Sequence, residues 1–223
     1  MVPNGKANTL ASCIPIQGKA LSYNNLVDAD AALKSCVDLY DLGQKQSTDF
    51  SAVTIVKHAN PCGQAIGSDA QKTLELAWRS DPVSAFGGIV CVSNVFSETM
   101  AKWISDYFVE IIIAKEFSPE AKAILAKKKN LRLIEYNFET YDRNQFNLKS
   151  IDGGAVIQEN DKFVPEELKS VTEKEFKVQD EMLNQFAILS CKHLKSNAIS
   201  LVAKVEDVYM LLGAGMGLSL IHI

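Results

Sequence analysis

The sequence lacks the features that mark several classes of protein. Its five cysteines occur singly without a Cys-x-x-Cys pair, and no His-x-Glu motif accompanies its three histidines. This pattern is typical of reduced thiols in a cytoplasmic protein, and it argues against a disulfide framework and against a zinc site. The sequence also has no signal-peptide pattern and no apolar run long enough to span a membrane. We therefore expect a cytoplasmic protein with no zinc and no membrane contact.

An excess of basic residues is missing as well. The net charge is −4, and the only dense basic run is residues 127–129. Since nucleic-acid binders usually carry a basic excess, we expect no nucleic-acid partner. With 223 residues, 47% of them hydrophobic, the chain can bury a core in one large domain or two small ones.

Strand and helix patterns alternate along the first part of the chain, which predicts a largely parallel sheet covered by helices. A more polar stretch follows, with a hairpin or linking strand near residues 155–158. The predicted strands are 51–57, 89–92, 109–114, 131–136, 199–205 and 208–212, and the predicted helices are 28–39, 68–78, 97–108, 118–129 and 179–197. We divide the chain into an irregular segment (1–16), a first subdomain (17–140), and a linker with a partial second subdomain (141–217).

Residues 56–63 (VKHANPCG) place Lys57 and His58 where an apolar strand runs into a Pro/Gly turn. Open α/β sheets bind ligands beyond the carboxyl ends of their strands. A lysine beside a histidine supplies a charge for a developing oxyanion and a base that titrates near neutral pH. The alternative is a surface lysine and a capping histidine, and the pair alone does not decide between these interpretations.

Three further turns are candidates for ligand contact. Asn25 lies in a pair of amides before a helix, where helix capping is the alternative. The loop 81–88 (DPVSAFGG) has glycines that let a backbone approach a ligand closely, and Phe86 offers a stacking face; an ordinary connecting loop is the alternative. Residues 195–197 (KSN) lie at the end of the predicted helix 179–197, where a C-terminal cap is the alternative.

Five segments occur in the same order as in one known family. They are 18–25 (GKALSYNN), 56–63 (VKHANPCG), 81–88 (DPVSAFGG), 109–114 (VEIIIA) and 195–199 (KSNAI). These segments closely resemble the formyltransferase region of the bifunctional AICAR transformylase/IMP cyclohydrolase family of purine biosynthesis. The resemblance extends from about residue 17 to residue 217.

The resemblance implies transfer of a formyl group from 10-formyltetrahydrofolate to the 5-amino group of AICAR, giving FAICAR and tetrahydrofolate. It also implies an α/β fold of cytidine-deaminase-like units, with mixed sheet layers covered by helices, two subdomains of which the second is incomplete, and no zinc. Active sites of the family form at a homodimer interface. The amine of AICAR is conjugated to a carboxamide and is a poor nucleophile, so a positioned base and a stabilised oxyanion are the help that it needs.

Site roles follow from the resemblance residue by residue. His58 corresponds to the histidine that takes a proton from the amine. Lys57 corresponds to the adjacent lysine, which stabilises charge on the formyl oxygen or fixes the protonation state of the imidazole. Asn197 corresponds to the asparagine that orients the formyl group. The residues that correspond to the lining of the substrate and folate sites are Asn25, Ser84, Phe86, Gly87, Gly88 and Glu110.

The sequence also departs from the family pattern. The cyclohydrolase region, an arginine-containing segment expected just before residue 1, and the continuation expected after Gly217 are not in this sequence. Residues 218–223 (LSLIHI) are the in-frame translation of a common transposon-derived sequencing adapter, so we expect them not to be native. We therefore expect a fragment with weak or no turnover. The alternatives are a non-catalytic remnant that binds nucleotide or folate, and a zinc hydrolase for which the metal ligands are lacking.

Overall fold

The computed structural model describes residues 9–47, 49–162, 173–174 and 180–217. The strands are β1 (Ser51–Lys57), β2 (Asn60–Gly67), β3 (Gly88–Phe96), β4 (Val109–Phe117), β5 (Arg132–Glu135), β6 (Phe146–Ile151), β7 (Gly154–Glu159), β8 (Ala198–Val205) and β9 (Val208–Met216). The helices are α1 (Tyr23–Gln44), α2 (Ala70–Arg79), α3 (Pro82–Ala85), α4 (Glu98–Ile104), α5 (Pro119–Leu125) and α6 (Glu181–Lys192). Residues 218–223, expected to be adapter-derived, lie outside the described residues, as do residues 1–8 of the N-terminal segment.

Seven strands form one mixed sheet in the order β5-β4-β3-β1-β2-β9-β8. Only the β3–β4 and β4–β5 pairs are parallel, and the other pairs are antiparallel. The predicted α/β fold with a mixed sheet is confirmed, but the expectation of a largely parallel sheet is wrong. The reason is local: β1 returns directly as β2 through a two-residue hairpin turn, so no crossover helix separates them.

Helices cover both faces of the sheet around β1, β3 and β4. In β1, Val53 and Ile55 pack in a cluster with α2, α4 and α5, whereas Ala52 and Val56 pack in a second cluster with α1 and α6. Because both faces are covered, these strands are apolar along nearly their whole length rather than alternating.

Polar caps fix where the helices begin. Ser22 forms a capping box with Asn25, so α1 starts five residues before the predicted helix at residue 28 and continues beyond its predicted end. Asp69 caps α2, and Ser118 caps α5, which has Pro119 in its first turn. The predicted helix over 97–108 ends at Ile104 instead.

The second half of the chain is less covered. β6 and β7 form a separate hairpin that is exposed along its length, close to the predicted hairpin or linking strand. β8 and β9 extend the same sheet that contains β1–β5, and β9 continues to Met216, beyond the predicted strand end at residue 212. The subdomain boundary near residue 140 stays a prediction. None of the helices in the described part of the chain is long and apolar enough to cross a bilayer.

Candidate active site

Lys57 ends β1 and is joined to the predicted loop 81–88. Its Nζ donates a hydrogen bond to the carbonyl oxygen of Gly87 at 2.8 Å, and the Gly87 amide donates to the carbonyl of Phe108 at 2.8 Å. Gly87 has a φ of +69°, and a Cβ at this position would lie 3.0 Å from both Lys57 Nζ and Phe108 Cε1. Glycine is therefore required here for its conformation and for the close approach of the lysine.

Two exposed aromatic rings lie beside this contact. The rings of Phe86 and Phe108 are 63% and 49% exposed, with centroids 5.2 Å apart. An exposed aromatic pair next to a fixed ammonium group can stack on a flat, electron-rich ligand. Phe86 was predicted from the sequence, whereas Phe108 was missed because the predicted helix over 97–108 included it.

Ser84 is engaged within its own loop. Asp81 caps the one-turn helix α3, and Ser84 donates its amide to Asp81 Oδ1 at 2.9 Å and its hydroxyl to Asp81 Oδ2 at 2.5 Å. The hydrogen bond from the Ser84 side chain is the main cause that holds the pKa of Asp81 below its ordinary value. This geometry is that of a helix cap, so contact of Ser84 with a ligand stays a prediction.

His58 lies at the tip of the β1–β2 hairpin, and its side chain is exposed. His58 and Ala59 both have positive φ, at 53° and 58°. This left-handed conformation costs an L-residue about 1–2 kcal/mol. The Ala59 amide donates to Asp28 Oδ1 at 2.8 Å, and Asn60 Nδ2 donates to the His58 carbonyl at 2.7 Å. The turn consists of these two residues, so the predicted Pro/Gly turn is wrong beyond Ala59.

Cys62 follows this turn in β2, and it opposes β1 at an irregularity in the register. Burial first, and then the charge of Asp81, raise the pKa of its thiol to about 12. The thiol is therefore protonated at neutral pH and is a poor nucleophile and metal ligand. Among the residues that the structure describes, no three His, Cys, Asp or Glu side chains are grouped so that they could hold a metal.

Asn25 and Glu110 meet on the α1 side of the sheet. Asn25 Nδ2 donates to Glu110 Oε2 at 2.7 Å. The Oδ1 of the same side chain accepts from the Ser22 amide as part of the cap of α1. Arg132 Nη1 lies 3.7 Å from the same carboxylate oxygen, and its side chain is largely buried. The register between β3 and β4 shifts next to Glu110, and such a bulge re-aims a side chain. Sequence reasoning predicted the first two residues and missed Arg132, whose position depends on the pairing of β5 with β4.

The sheet order fixes how these groups lie relative to one another. Lys57 and Glu110 are two strands apart, about 10 Å. Asn197 lies at the start of β8, three strands from β1 in the other direction, or about 14 Å. Among the hydrogen bonds of the described residues, those of Asn197 are with Ser196 and Gly217, and none joins it to Lys57 or His58. The structure therefore brings together two groups of predicted residues and leaves Asn197 apart.

This edge of the sheet departs from the rule for parallel strands. β1 ends here, as expected, but the parallel strands β3, β4 and β5 present their amino ends. The common rule would place a ligand at their carboxyl ends, which lie at the opposite edge. The candidate residues therefore gather here because a hairpin turn, a loop and the start of α1 converge.

A cavity of about 630 Å³ lies beside the turn rather than at Lys57. It extends from Ala59 along α1 to the β6–β7 hairpin and α6. Many charged groups of its lining pair with one another: Arg143 with Asp41, Lys34 with Asp30, and Asp38 Oδ2 with Lys192 Nζ at 2.8 Å and His193 Nε2 at 2.7 Å. The last of these pairings links α1 to α6.

Comparison with known proteins gives the family. The model described as AICARFT/IMPCHase bienzyme matches residues 2–219. The chain belongs to this family. Bifunctional purine biosynthesis protein PurH from Lysinibacillus sphaericus (strain C3-41) is 39% identical over 215 residues, which are 96% of this chain and 40% of that protein. The PurH proteins of Prochlorococcus marinus subsp. pastoris and Brachyspira hyodysenteriae are 42% and 40% identical, over 91% of this chain in each case and over 39% and 38% of those proteins. The chain thus spans about 40% of the length of these AICARFT/IMPCHase relatives.

Proposed function

We propose that this chain carries the Lys57–His58 centre of an AICAR formyltransferase. The reaction would move the formyl group of 10-formyltetrahydrofolate to the 5-amino group of AICAR in the cytoplasm, with no zinc and no nucleic acid. The observation that carries the proposal is the Lys57–Gly87 contact beside the His58 turn, in a chain of the AICARFT/IMPCHase family.

The chemistry follows from the two side chains. The amine nitrogen of AICAR attacks the formyl carbon, and the formyl oxygen gains negative charge that the Lys57 ammonium stabilises. His58 takes the proton that the amine loses. The tetrahedral intermediate then collapses, the bond between carbon and folate nitrogen breaks, and that nitrogen accepts the proton that His58 took, as tetrahydrofolate leaves. Atoms and charges balance without a metal.

The surroundings supply two kinds of contact. The Phe86–Phe108 pair offers an apolar stacking surface next to Lys57 for a flat ring of either substrate. Asn25 and Glu110 offer an amide and a carboxylate on the other side of the edge for polar groups of the substrates. The proposed role of Asn197 rests on the resemblance alone.

We also propose that the active form is a homodimer, as the resemblance implies. Phe146, Leu148 and Ile157 share one face of the β6–β7 hairpin, and each is more than 60% exposed. Apolar groups of this size on one face are usual where a second protein surface covers them. Analytical ultracentrifugation gives the mass: a dimer supports this part of the proposal, and a monomer at every concentration contradicts it.

The test of the function is formyl transfer, followed as formation of tetrahydrofolate from 10-formyltetrahydrofolate and AICAR. The assay uses the chain alone and the chain with the flanking residues of its own reading frame. His58→Ala is expected to lower kcat by about 10²- to 10⁴-fold, because general base catalysis contributes that much. His193→Ala, at a histidine that pairs with Asp38 further along α1, is the matched control and is expected to retain turnover.

Equal turnover in both histidine variants would contradict the proposal. If neither form of the wild-type chain transfers formyl groups, calorimetric titration with AICAR separates two further outcomes. Binding without turnover identifies a non-catalytic nucleotide-binding remnant. Absence of binding as well refutes the proposed site.

A further inference from the structure

Asp28 connects α1 to the turn that carries His58. It lies near the start of α1, its side chain is partly buried, and its Oδ1 accepts the Ala59 amide proton at 2.8 Å across 31 residues of sequence. In the sequence, Asp28 is only the first residue of the predicted helix 28–39. The contact gives it a second role, because the bonded amide belongs to the residue next to the proposed base.

The conformation of the turn makes this contact important. Both residues of the turn have positive φ. Histidine is among the residues found more often in this conformation, but alanine is not, and two-residue hairpin turns of this kind strongly favour glycine at the second position. The strain is therefore concentrated at Ala59, whose amide is the one that Asp28 holds. A hydrogen bond to a carboxylate is stronger than one to a neutral acceptor, so it suits the task of holding a strained peptide.

The other exposed peptide group of the turn is also held. Asn60 Nδ2 donates to the His58 carbonyl at 2.7 Å. The turn is thus held by two side chains: Asp28 of α1 accepts a hydrogen bond from it, and Asn60 of β2 donates one to it. The imidazole itself stays exposed. Strained backbone held by its surroundings is typical of sites where a side chain has to be aimed.

We propose that Asp28 is a positioning residue for His58: its carboxylate holds the strained His58–Ala59 turn and so fixes the direction in which the imidazole points. This proposal rests on the proposed role of His58 as the base. Asp28 does not touch the reacting atoms in this scheme. It acts through the backbone of the turn.

Three variants separate this role from others. Asp28→Ala removes the acceptor and is expected to lower kcat by about 10- to 100-fold with little change in KM, since a base misplaced by about 1 Å costs up to that much. Asp28→Asn keeps an oxygen acceptor and is expected to retain most of kcat. Ala59→Gly added to Asp28→Ala relieves the strain and is expected to restore most of kcat, which it would not do if Asp28 contacted the substrate.

Asp30→Ala is the matched control. Asp30 lies on the same helix, and its carboxylate pairs with Lys34 rather than with the turn. It is expected to leave kcat unchanged. The proposal is overturned if Asp28→Ala changes kcat no more than Asp30→Ala does, or if Ala59→Gly fails to restore the activity lost in Asp28→Ala.

Hydrogen exchange of the Ala59 amide keeps this test independent of the proposed function. Exchange at Ala59 is expected to be faster by about 10-fold or more in Asp28→Ala than in wild type, in line with loss of a local hydrogen bond, and unchanged in Asp30→Ala. If the wild-type chain transfers no formyl group, the proposed function fails and this measurement decides about Asp28. Unchanged exchange at Ala59 in Asp28→Ala then overturns the proposal.

Discussion

The region built on β1, β3 and β4 differs sharply from the region built on β6–β9. The first has helices on both faces, and its strands are almost completely buried. In the second, every residue of β6 and β7 is exposed, and Leu201 of β8 is 63% exposed. Lys57 and Glu110 therefore stand at the end of a rigid scaffold, whereas Asn197 stands at the start of an edge strand. Catalysis that depends on precisely oriented side chains is better supported by the first region, because its scaffold is buried on both faces.

The largest expected effect tests whether the two regions differ in stability as they differ in burial. Phe96 of β3 is fully buried against Phe117, whereas Phe146 of the hairpin is 64% exposed. Phe96→Ala is expected to lower the free energy of unfolding by about 3–5 kcal/mol, because it leaves a cavity. Phe146→Ala is expected to change it by less than about 0.5 kcal/mol. Urea unfolding measures both, and equal losses would remove the distinction between the regions.

Two glycines with positive φ, one in each region, allow a second comparison of the stability cost of a substitution. A Cβ at Gly87 would crowd Lys57 and Phe108, whereas nothing lies within 4 Å of a Cβ at Gly153 in the hairpin turn. Gly87→Ala is expected to cost about 2–3 kcal/mol, from strain and crowding together, and to lower formyl transfer. Gly153→Ala is expected to cost about 1 kcal/mol from backbone conformation alone. A larger loss in Gly153→Ala would contradict this account of the Lys57 contact.

The smallest expected effect concerns Asp38, which joins the regions through Lys192 at the end of α6 and His193 directly after it. Burial by itself raises the pKa of Asp38, but the hydrogen bonds and charges of His193 and Lys192 outweigh burial and leave the pKa below its ordinary value. A depressed folded-state pKa contributes stability that is present above the unfolded value of about 3.9 and is lost as the pH falls through the folded value. Asp38→Asn is expected to cost about 1 kcal/mol at pH 7.

Unfolding curves between pH 2 and pH 7 check this prediction. The difference between wild type and Asp38→Asn should shrink as the pH falls below about 4, because wild-type Asp38 then becomes protonated. Asp30→Asn, in a helix pair that is more exposed than the Asp38 contacts, is the matched control and should show a smaller difference throughout. A difference that does not depend on pH would mean that the carboxylate charge does not link α1 to α6.

Structural features that depend on neighbouring residues were predicted well from the sequence. The bounds of β1 are those predicted, and α2 begins at Ala70, close to its predicted start at residue 68, because an apolar run and a capping residue each act on their own neighbours. The strand β2 was missed because Asn60, Pro61 and Gly63 suggested a turn. Pro61 is tolerated there because the recorded pairing of β2 with β9 is confined to Ala65 and Ile66, so the missing amide is not needed.

The contacts that organise the site could not be read in this way. Asn25 and Glu110 are 85 residues apart, and they meet only because of the bulge beside β3. Arg132, Phe108 and Asp28 depend in the same way on which strands are neighbours, on where α4 ends and on how α1 crosses the sheet. Residue type and spacing do not show which residues, distant in sequence, meet in the fold, whereas the ordered motifs of a family do.

The bulge at Glu110 has a consequence for how this edge tolerates insertion and deletion. Val109 and Ile112 face one helix layer, and Ile111 and Ile113 face the other. Because Glu110 is an extra residue in the pairing with β3, odd-numbered residues face one layer before it and the other layer after it. Removing Val109 would restore simple alternation by placing Glu110 in its position, which would turn the carboxylate away from α1 while the other core residues kept their places. The length of this short segment is therefore as much a determinant of the polar cluster as the glutamate itself.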